Sequence, residues 1–168
     1  IYIFIFFISQ YFFGQQSNQL WKGYFSYNEI VDVESSTNAV FASTQNALFS
    51  QVVASSNLNV YNSITGLKPD VITTIHHSDA FNKTFVGNNN GLILIQNADG
   101  SVTTKVDVIE EVPVPPNKKR INDFFEFNGR LYIATDYGIS VIDIATSEFI
   151  STYFIGTSGE ETEVLQTT

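Results

Sequence analysis

One pattern occurs three times in this chain, and it limits the possible folds more than any other feature. A short alternating strand is followed by a few polar residues and a second apolar strand. A tight polar turn with a small residue comes next, and then a third apolar strand. The anchors are Val40–Phe49, Thr84–Ile93 and Leu131–Ser140. Placing Ala47, Gly91 and Gly138 in register gives spacings of 91 − 47 = 44 and 138 − 91 = 47 residues. A period of about 40–50 residues in an all-β pattern, with about four strands per unit, marks the blades of a propeller. A blade has two apolar faces and buries them only against neighbouring blades. The expected fold class is therefore all-β, a partial β-propeller of about three four-stranded blades from a larger, seven-bladed ring.

Composition supports strands. Of the 168 residues, 43% are hydrophobic, and 15 Phe with 8 Tyr favour pleated structure over helix. Windows rich in Ala, Leu and Glu are missing. The best helix candidate, Asn46–Val53, reads as a turn and a strand. A net charge of −9, from 17 acidic and 8 basic residues, argues against a general nucleic-acid role, which needs a basic face. There is no Cys, which removes disulfides, thiol catalysis, Fe–S clusters and Cys-type zinc sites together. There is no Met either, so the expectation is that Ile1 is not the start of the reading frame.

Residues Ile1–Phe13 are apolar, and no charge occurs before Lys22. That length suits the hydrophobic region of a signal peptide, about 7–15 residues, and falls short of the roughly 20 that span a bilayer as a helix. Residues 1–14 are expected to be a truncated signal-peptide remnant, and 15–168 the N-terminal part of a propeller domain. An exported protein follows, in the periplasm or at the outer-membrane cell surface.

Beyond that segment, Trp21–Tyr27 reads as a short strand or turn with large aromatics, which as a strand could close a ring. The first repeat opens at Ile30–Val33 and continues through Ala39–Ser43, Leu48–Val53 and Leu58–Tyr61. The second has Val71–Ile75, Lys83–Val86, Leu92–Ile95 and Val102–Val106. The third has Ile121–Phe127, Leu131–Thr135, Ile139–Ile144 and Phe149–Ile155. Asp99-Gly100 and Asn128-Gly129 are expected to be two-residue hairpin turns, since both positions of each tolerate positive φ. Val112-Pro113-Val114-Pro115-Pro116 reads as an extended connector, because proline has no ladder donor. The segment Glu160–Val164 lies where another blade would begin.

The third repeat carries a resemblance. Lys119–Asp123, Leu131–Ile139, Val141–Ile144, Glu148 and Thr152–Gly156 resemble the N-terminal β-propeller of PorZ-type proteins, Bacteroidetes surface proteins of the type IX secretion system. Trp21–Asn28 is similar to that family's start, as is Ile64–Leu67 before Val71–Ile75. The second repeat departs from the family, which usually has a Gly-Asn pair after the turn. Here the order is Asn90-Gly91. The resemblance covers most of residues 21–156. It implies a larger parent with further blades, a second propeller and a C-terminal β-domain. It also implies secretion-system proteins as partners.

Candidate chemistry is sparse. His76 and His77 are adjacent, so on a strand they point to opposite faces and do not chelate one ion easily. The bland reading is one packed and one exposed ring. Asp79, Asp99, Asp123, Asp136 and Asp143 are spread along the chain, each read as a turn residue bonding its own backbone, whereas glycosidase carboxylates must converge. Asn88-Asn89-Asn90-Gly91 fits a tight turn better than a calcium loop. Gly87 and Gly91 bracket that turn without the Lys-Ser or Lys-Thr of a phosphate loop, and no Gly-x-Ser-x-Gly elbow occurs. Lys118-Lys119-Arg120 is the only basic cluster, a solvated turn or a site for an anionic glycan such as lipopolysaccharide. Asn82-Lys83-Thr84 has the form of an N-glycan acceptor, which a bacterial source would make irrelevant. Trp21, Tyr24 and Tyr137 could stack on sugars, or more simply fill the packing between blades. No catalytic, cofactor or metal residue is assigned. The expected function is a non-enzymatic scaffold or binding module of a type IX secretion surface complex. The alternatives are a ligand-sensing propeller of a two-component regulator and a propeller-type glycan hydrolase or lyase.

Overall fold

The computed structural model describes residues 27–55, 57–68, 70–155 and 162–166. The expected signal segment and the Trp21 and Tyr24 positions lie outside the described residues.

Among the described residues, twelve strands form three four-stranded antiparallel sheets, each built from consecutive strands. Blade 1 holds β1 (Asp32–Ser35), β2 (Ala39–Thr44), β3 (Ala47–Val52) and β4 (Leu58–Tyr61). Blade 2 holds β5 (Ile72–Ser78), β6 (Lys83–Asn88), β7 (Ile93–Gln96) and β8 (Val102–Lys105). Blade 3 holds β9 (Ile121–Phe127), β10 (Arg130–Thr135), β11 (Gly138–Asp143) and β12 (Phe149–Phe154). The sheets meet along their first strands, with β5 touching both β1 and β9. These are the inner strands of the blades.

Two apolar clusters fill the seams. Between blades 1 and 2 lie Phe41, Leu48, Ile72, Ile75, Val86 and Leu94. Between blades 2 and 3 lie Phe85, Ile93, Ile95, Ile121, Phe124 and Ile133. Alternation along β6 assigns its residues in turn: Val86 faces blade 1, and Phe85 faces blade 3. Both faces of blade 2 are therefore apolar, as a middle blade requires.

The pairing register refines the repeat. The β2–β3 turn joins Thr44 to Ala47, and the β10–β11 turn joins Thr135 to Gly138. In blade 2, Gly87 pairs with Ile93, and the Asn88 N–H donates to the Leu92 carbonyl. Leu92, not Gly91, is thus the counterpart of Ala47 and Gly138, and the spacings become 92 − 47 = 45 and 138 − 92 = 46 residues. The offset arises because this turn has one residue more, with Gly91 at φ +90°. An added Cβ there would sit 2.9 Å from the Lys119 carbonyl oxygen.

The hairpin turns divide. Asn128 and Gly129 have φ of +50° and +74°, and Phe127 pairs with Arg130, so this is a two-residue turn as expected. Asp99-Gly100 is not. Gln96 pairs with Val102, leaving a loop over 97–101 in which only Gly100 has positive φ. The Asp99 carboxylate accepts from the Ser101 N–H and hydroxyl and shapes that longer loop. The blade 2–3 connector also differs from an extended chain. A single-turn helix, α1 (Asp107–Glu110), and a 3-10 turn at Pro116–Lys118 interrupt it, and Val108 and Val114 drop into the second core.

Inner strands β5 and β9 each bulge at their second residue, Thr73 and Asn122. The Thr73 hydroxyl donates to the Ile121 carbonyl at 2.6 Å, joining blade 2 to the start of blade 3. The Asn122 amide donates to the Val164 carbonyl at 3.0 Å, and the Val164 N–H donates to the Thr135 carbonyl. Val164 therefore stands to blade 3 as Ile121 stands to blade 2.

Candidate functional site on the inner strands

The polar side chains of β1, β5 and β9 gather about the line where the blades meet, and nearly every one has a structural partner. Asp32 is the clearest case. One oxygen accepts from the Val33 N–H at 2.8 Å. The other accepts from the Thr74 hydroxyl at 3.0 Å and the Ile75 N–H at 2.8 Å. The bulge at Thr73 breaks the regular ladder there, and a carboxylate from the previous blade supplies an acceptor. Sequence reading passed over Asp32, and only its place two residues into the repeat marked it.

A cleft of about 310 Å³ opens at the end where these strands begin, with Asp32, Thr73, Thr74, Asn122 and Asp123 in its wall. It brings Asp32 and Asp123 to one place. Asp32 is occupied as described, and Asp123 also has an interaction partner. The remaining acids named from the sequence do not join them. Asp143 holds its own turn through the Thr146 N–H at 2.9 Å, as expected. Asp79 instead reaches across the seam and accepts from the Thr37 N–H and hydroxyl at 3.0 and 2.8 Å. Asp136 accepts from the Asn122 amide at 2.8 Å. Asp123 lies in β9 rather than in a turn. Hydrogen bonds from Thr37, Ser101 and Thr146 hold the Asp79, Asp99 and Asp143 carboxyls below their usual range.

The histidines overturn the expectation of one packed and one exposed ring, because both are largely buried. The His77 ring stacks on Phe41 of blade 1, with centroids 4.2 Å apart and planes at 17°. Its Nδ1 lies 2.9 Å from the Thr84 hydroxyl. Burial pushes its pKa down, more than Asp79 raises it. His76 points the other way, as strand alternation requires. Its Nδ1 is 3.2 Å from a Glu34 oxygen on β1, and its Nε2 is 3.2 Å from a Glu126 oxygen on β9. Burial opposes its charge, but the two carboxylates outweigh that and raise its pKa.

The basic cluster is a solvated turn only in part, since Arg120 is exposed and Lys118 half-buried. Lys119 is buried, and its Nζ donates to the carbonyls of Ile109 and Glu111, closing the end of α1. The Arg120 Nε bonds the Asn122 side chain at 3.1 Å. Lys83, inside the Asn82-Lys83-Thr84 triplet, clasps blade 3 instead, donating to the Ile144 and Ala145 carbonyls at 2.7 and 2.9 Å. Tyr137 is fully buried and bonds Ser140 at 2.9 Å, which makes it packing rather than a sugar platform. Gly87 lies within β6 rather than at a turn. Among the described residues no helix is long and apolar enough to cross a membrane.

Residues 40–168 match the family model of the type IX secretion system PorZ N-terminal β-propeller domain. Among solved structures, the chain is similar to PorZ of Porphyromonas gingivalis, described as an essential bacterial surface component of the type IX secretion system. The identity is 21% and the TM-score 0.66, covering 74% of this chain and 17% of that one. It is also similar to the extracellular domain of a hybrid two-component system from B. thetaiotaomicron, at 20% identity and TM-score 0.58, covering 75% and 17%. An extracellular domain of a one-component system from the same organism matches at 16% identity and TM-score 0.60, covering 76% and 17%. At these identities the likeness is one of fold. No curated protein matches the sequence.

Proposed function

The chain belongs to the PorZ N-terminal β-propeller family, and on that premise we propose that it is a non-enzymatic module of a type IX secretion assembly at the cell surface, presenting loops to a protein partner. The observation that carries this reading is where the polar groups are used. Asp32, Thr73, His76 and Lys83 join one blade to the next. A rigid ring spends its polar inner strands on its own cohesion and leaves recognition to the loops.

The connectors at the end where the inner strands begin fit that role. Ile64 and Val112 project from the two connectors with 60% and 92% of their surface exposed. Exposed aliphatic side chains on ordered loops suit contact with another protein. The Lys118-Lys119-Arg120 cluster offers an anionic lipopolysaccharide partner two cations at most, because Lys119 is consumed internally. The sensory alternative draws support from fold likeness alone, which is a weak warrant.

The test is co-purification from the native envelope. Tagged full-length protein is expected to retain secretion-system components, and the pair Ile64→Asp and Val112→Asp to lose them while the melting temperature stays unchanged. Recovery of a sensor kinase instead, or undiminished recovery with the double variant, overturns the reading.

A further inference from the structure

We propose that His76 is a pH-gated clamp that, as an imidazolium, ties the inner strands of three successive blades together through Glu34 and Glu126 and releases them when it loses its proton. The three residues come from β1, β5 and β9, one from each sheet. Both ring nitrogens lie 3.2 Å from carboxylate oxygens. An ionised carboxylate only accepts hydrogen bonds, and a neutral imidazole carries one N–H. Only the imidazolium donates to both partners at once. The geometry therefore selects the charged ring.

The surroundings carry the same sign. Glu34 faces the ring from β1 and Glu126 faces it from β9. From β6 the residue opposite His76 is Phe85, which is apolar. On its own strand the neighbour is His77, with Asp79 beyond it. The three side chains of the clamp are 15%, 30% and 23% exposed, so bulk pH reaches them while salt screens them only partly. Loss of the proton leaves two carboxylates sharing one N–H donor and repelling each other across β5.

The direction of the switch follows from linkage. Burial lowers the proton affinity of His76, and the hydrogen bonds and charges of Glu34 and Glu126 more than reverse this. The folded value is thus above the ordinary histidine value of about 6.5. The clamp contributes fully below that ordinary value and is lost as pH rises through the raised one. The three inner strands therefore loosen on the alkaline side.

The experiment uses the full-length protein and reads the histidine C2–H exchange by mass spectrometry across the ordinary histidine range. His76 is expected to titrate above about 6.5, and to move down in the pair Glu34→Gln and Glu126→Gln. Amide exchange in β1, β5 and β9 is expected to step upward through the His76 midpoint in the wild type and to lack that step in His76→Gln. A His76 midpoint at or below the ordinary value overturns the clamp. So does inner-strand exchange that rises equally in the wild type and His76→Gln. If His76→Gln fails to fold, the midpoint difference between the wild type and the glutamine pair still decides the matter.

Discussion

The two seams of this molecule do the same job with different chemistry. The blade 2–3 seam is sterically tight. Gly87 lies so close to blade 3 that an added Cβ would sit 2.6 Å from a methyl of Ile121 and 3.0 Å from the Phe124 ring. The seam is closed by Lys83 on three oxygens of the blade 3 turn at Ile144–Ser147. The blade 1–2 seam puts Ser43 where blade 2 puts Gly87: Ser43 pairs with Asp32, as Gly87 pairs with Thr74. It relies on carboxylates, with Asp32 holding the bulge of β5 and Asp79 holding Thr37. One repeat thus supports a seam limited by close packing at Gly87 and a seam in which two carboxylates hold backbone of the neighbouring blade.

The sharpest way to break the comparison is to add volume to the tight seam. Gly87→Val is expected to destabilise by about 3 kcal/mol, the upper part of the usual range for overpacking. Urea unfolding reads this directly. Gly87→Ala combined with Ile121→Ala is expected to cost less than the sum of the two single changes, because the second removes the methyl that the first would strike. Strict additivity would show that the contact at Gly87 is not what limits this seam.

Next in size is the charged seam. Asp32→Ala strands the Ile75 N–H and the Thr74 hydroxyl in a half-buried place and is expected to cost about 1–3 kcal/mol. The stabilising counterpart is smaller. The Ser43 hydroxyl is buried and has no hydrogen-bond partner among the described residues. Ser43→Ala removes it and is expected to raise stability by about 1 kcal/mol. A loss on Ser43→Ala would mean that the hydroxyl is used, and that the two seams are less different than their packing suggests.

Much of the fold was legible because strand patterning and blade period are local properties of sequence. The four strands of the third repeat fall within one residue of their expected bounds, and Asn128-Gly129 turns as its φ preference requires. Reading failed where a contact comes from another blade. Asp79 looks like a turn residue, and its carboxylate bonds Thr37, 42 positions away. Lys119 looks like part of a solvated basic run, and the connector folds α1 over its ammonium. Gly91 looked equivalent to Gly138, and one extra turn residue displaced it. For His76 and His77, alternation placed the rings on opposite faces. It gave no sign that Glu34 and Glu126 would flank one ring and Phe41 cover the other.

The smallest expected effect separates those adjacent rings. His77 belongs to the blade 1–2 seam, stacked on Phe41, and burial holds its folded pKa below the ordinary value, with Asp79 opposing. A histidine of lowered pKa stabilises the fold while it is neutral. Its contribution is full above the unfolded value of about 6.5 and is lost as pH falls through that value toward the lowered one. His76 has the opposite slope on the alkaline side. The Asp79 carboxyl, held below its usual range by Thr37, titrates in a more acidic window and leaves the histidine window clear. His77→Gln keeps a donor and an acceptor beside Thr84 but cannot ionise. The fall in melting temperature on mild acidification is expected to be shallower in His77→Gln than in the wild type, with the alkaline side unchanged. Equal acid slopes would place the proton-sensitive contact elsewhere. A flattened alkaline slope would mean that the two rings titrate as one unit, and that the charged seam and the clamp at His76 are a single electrostatic system.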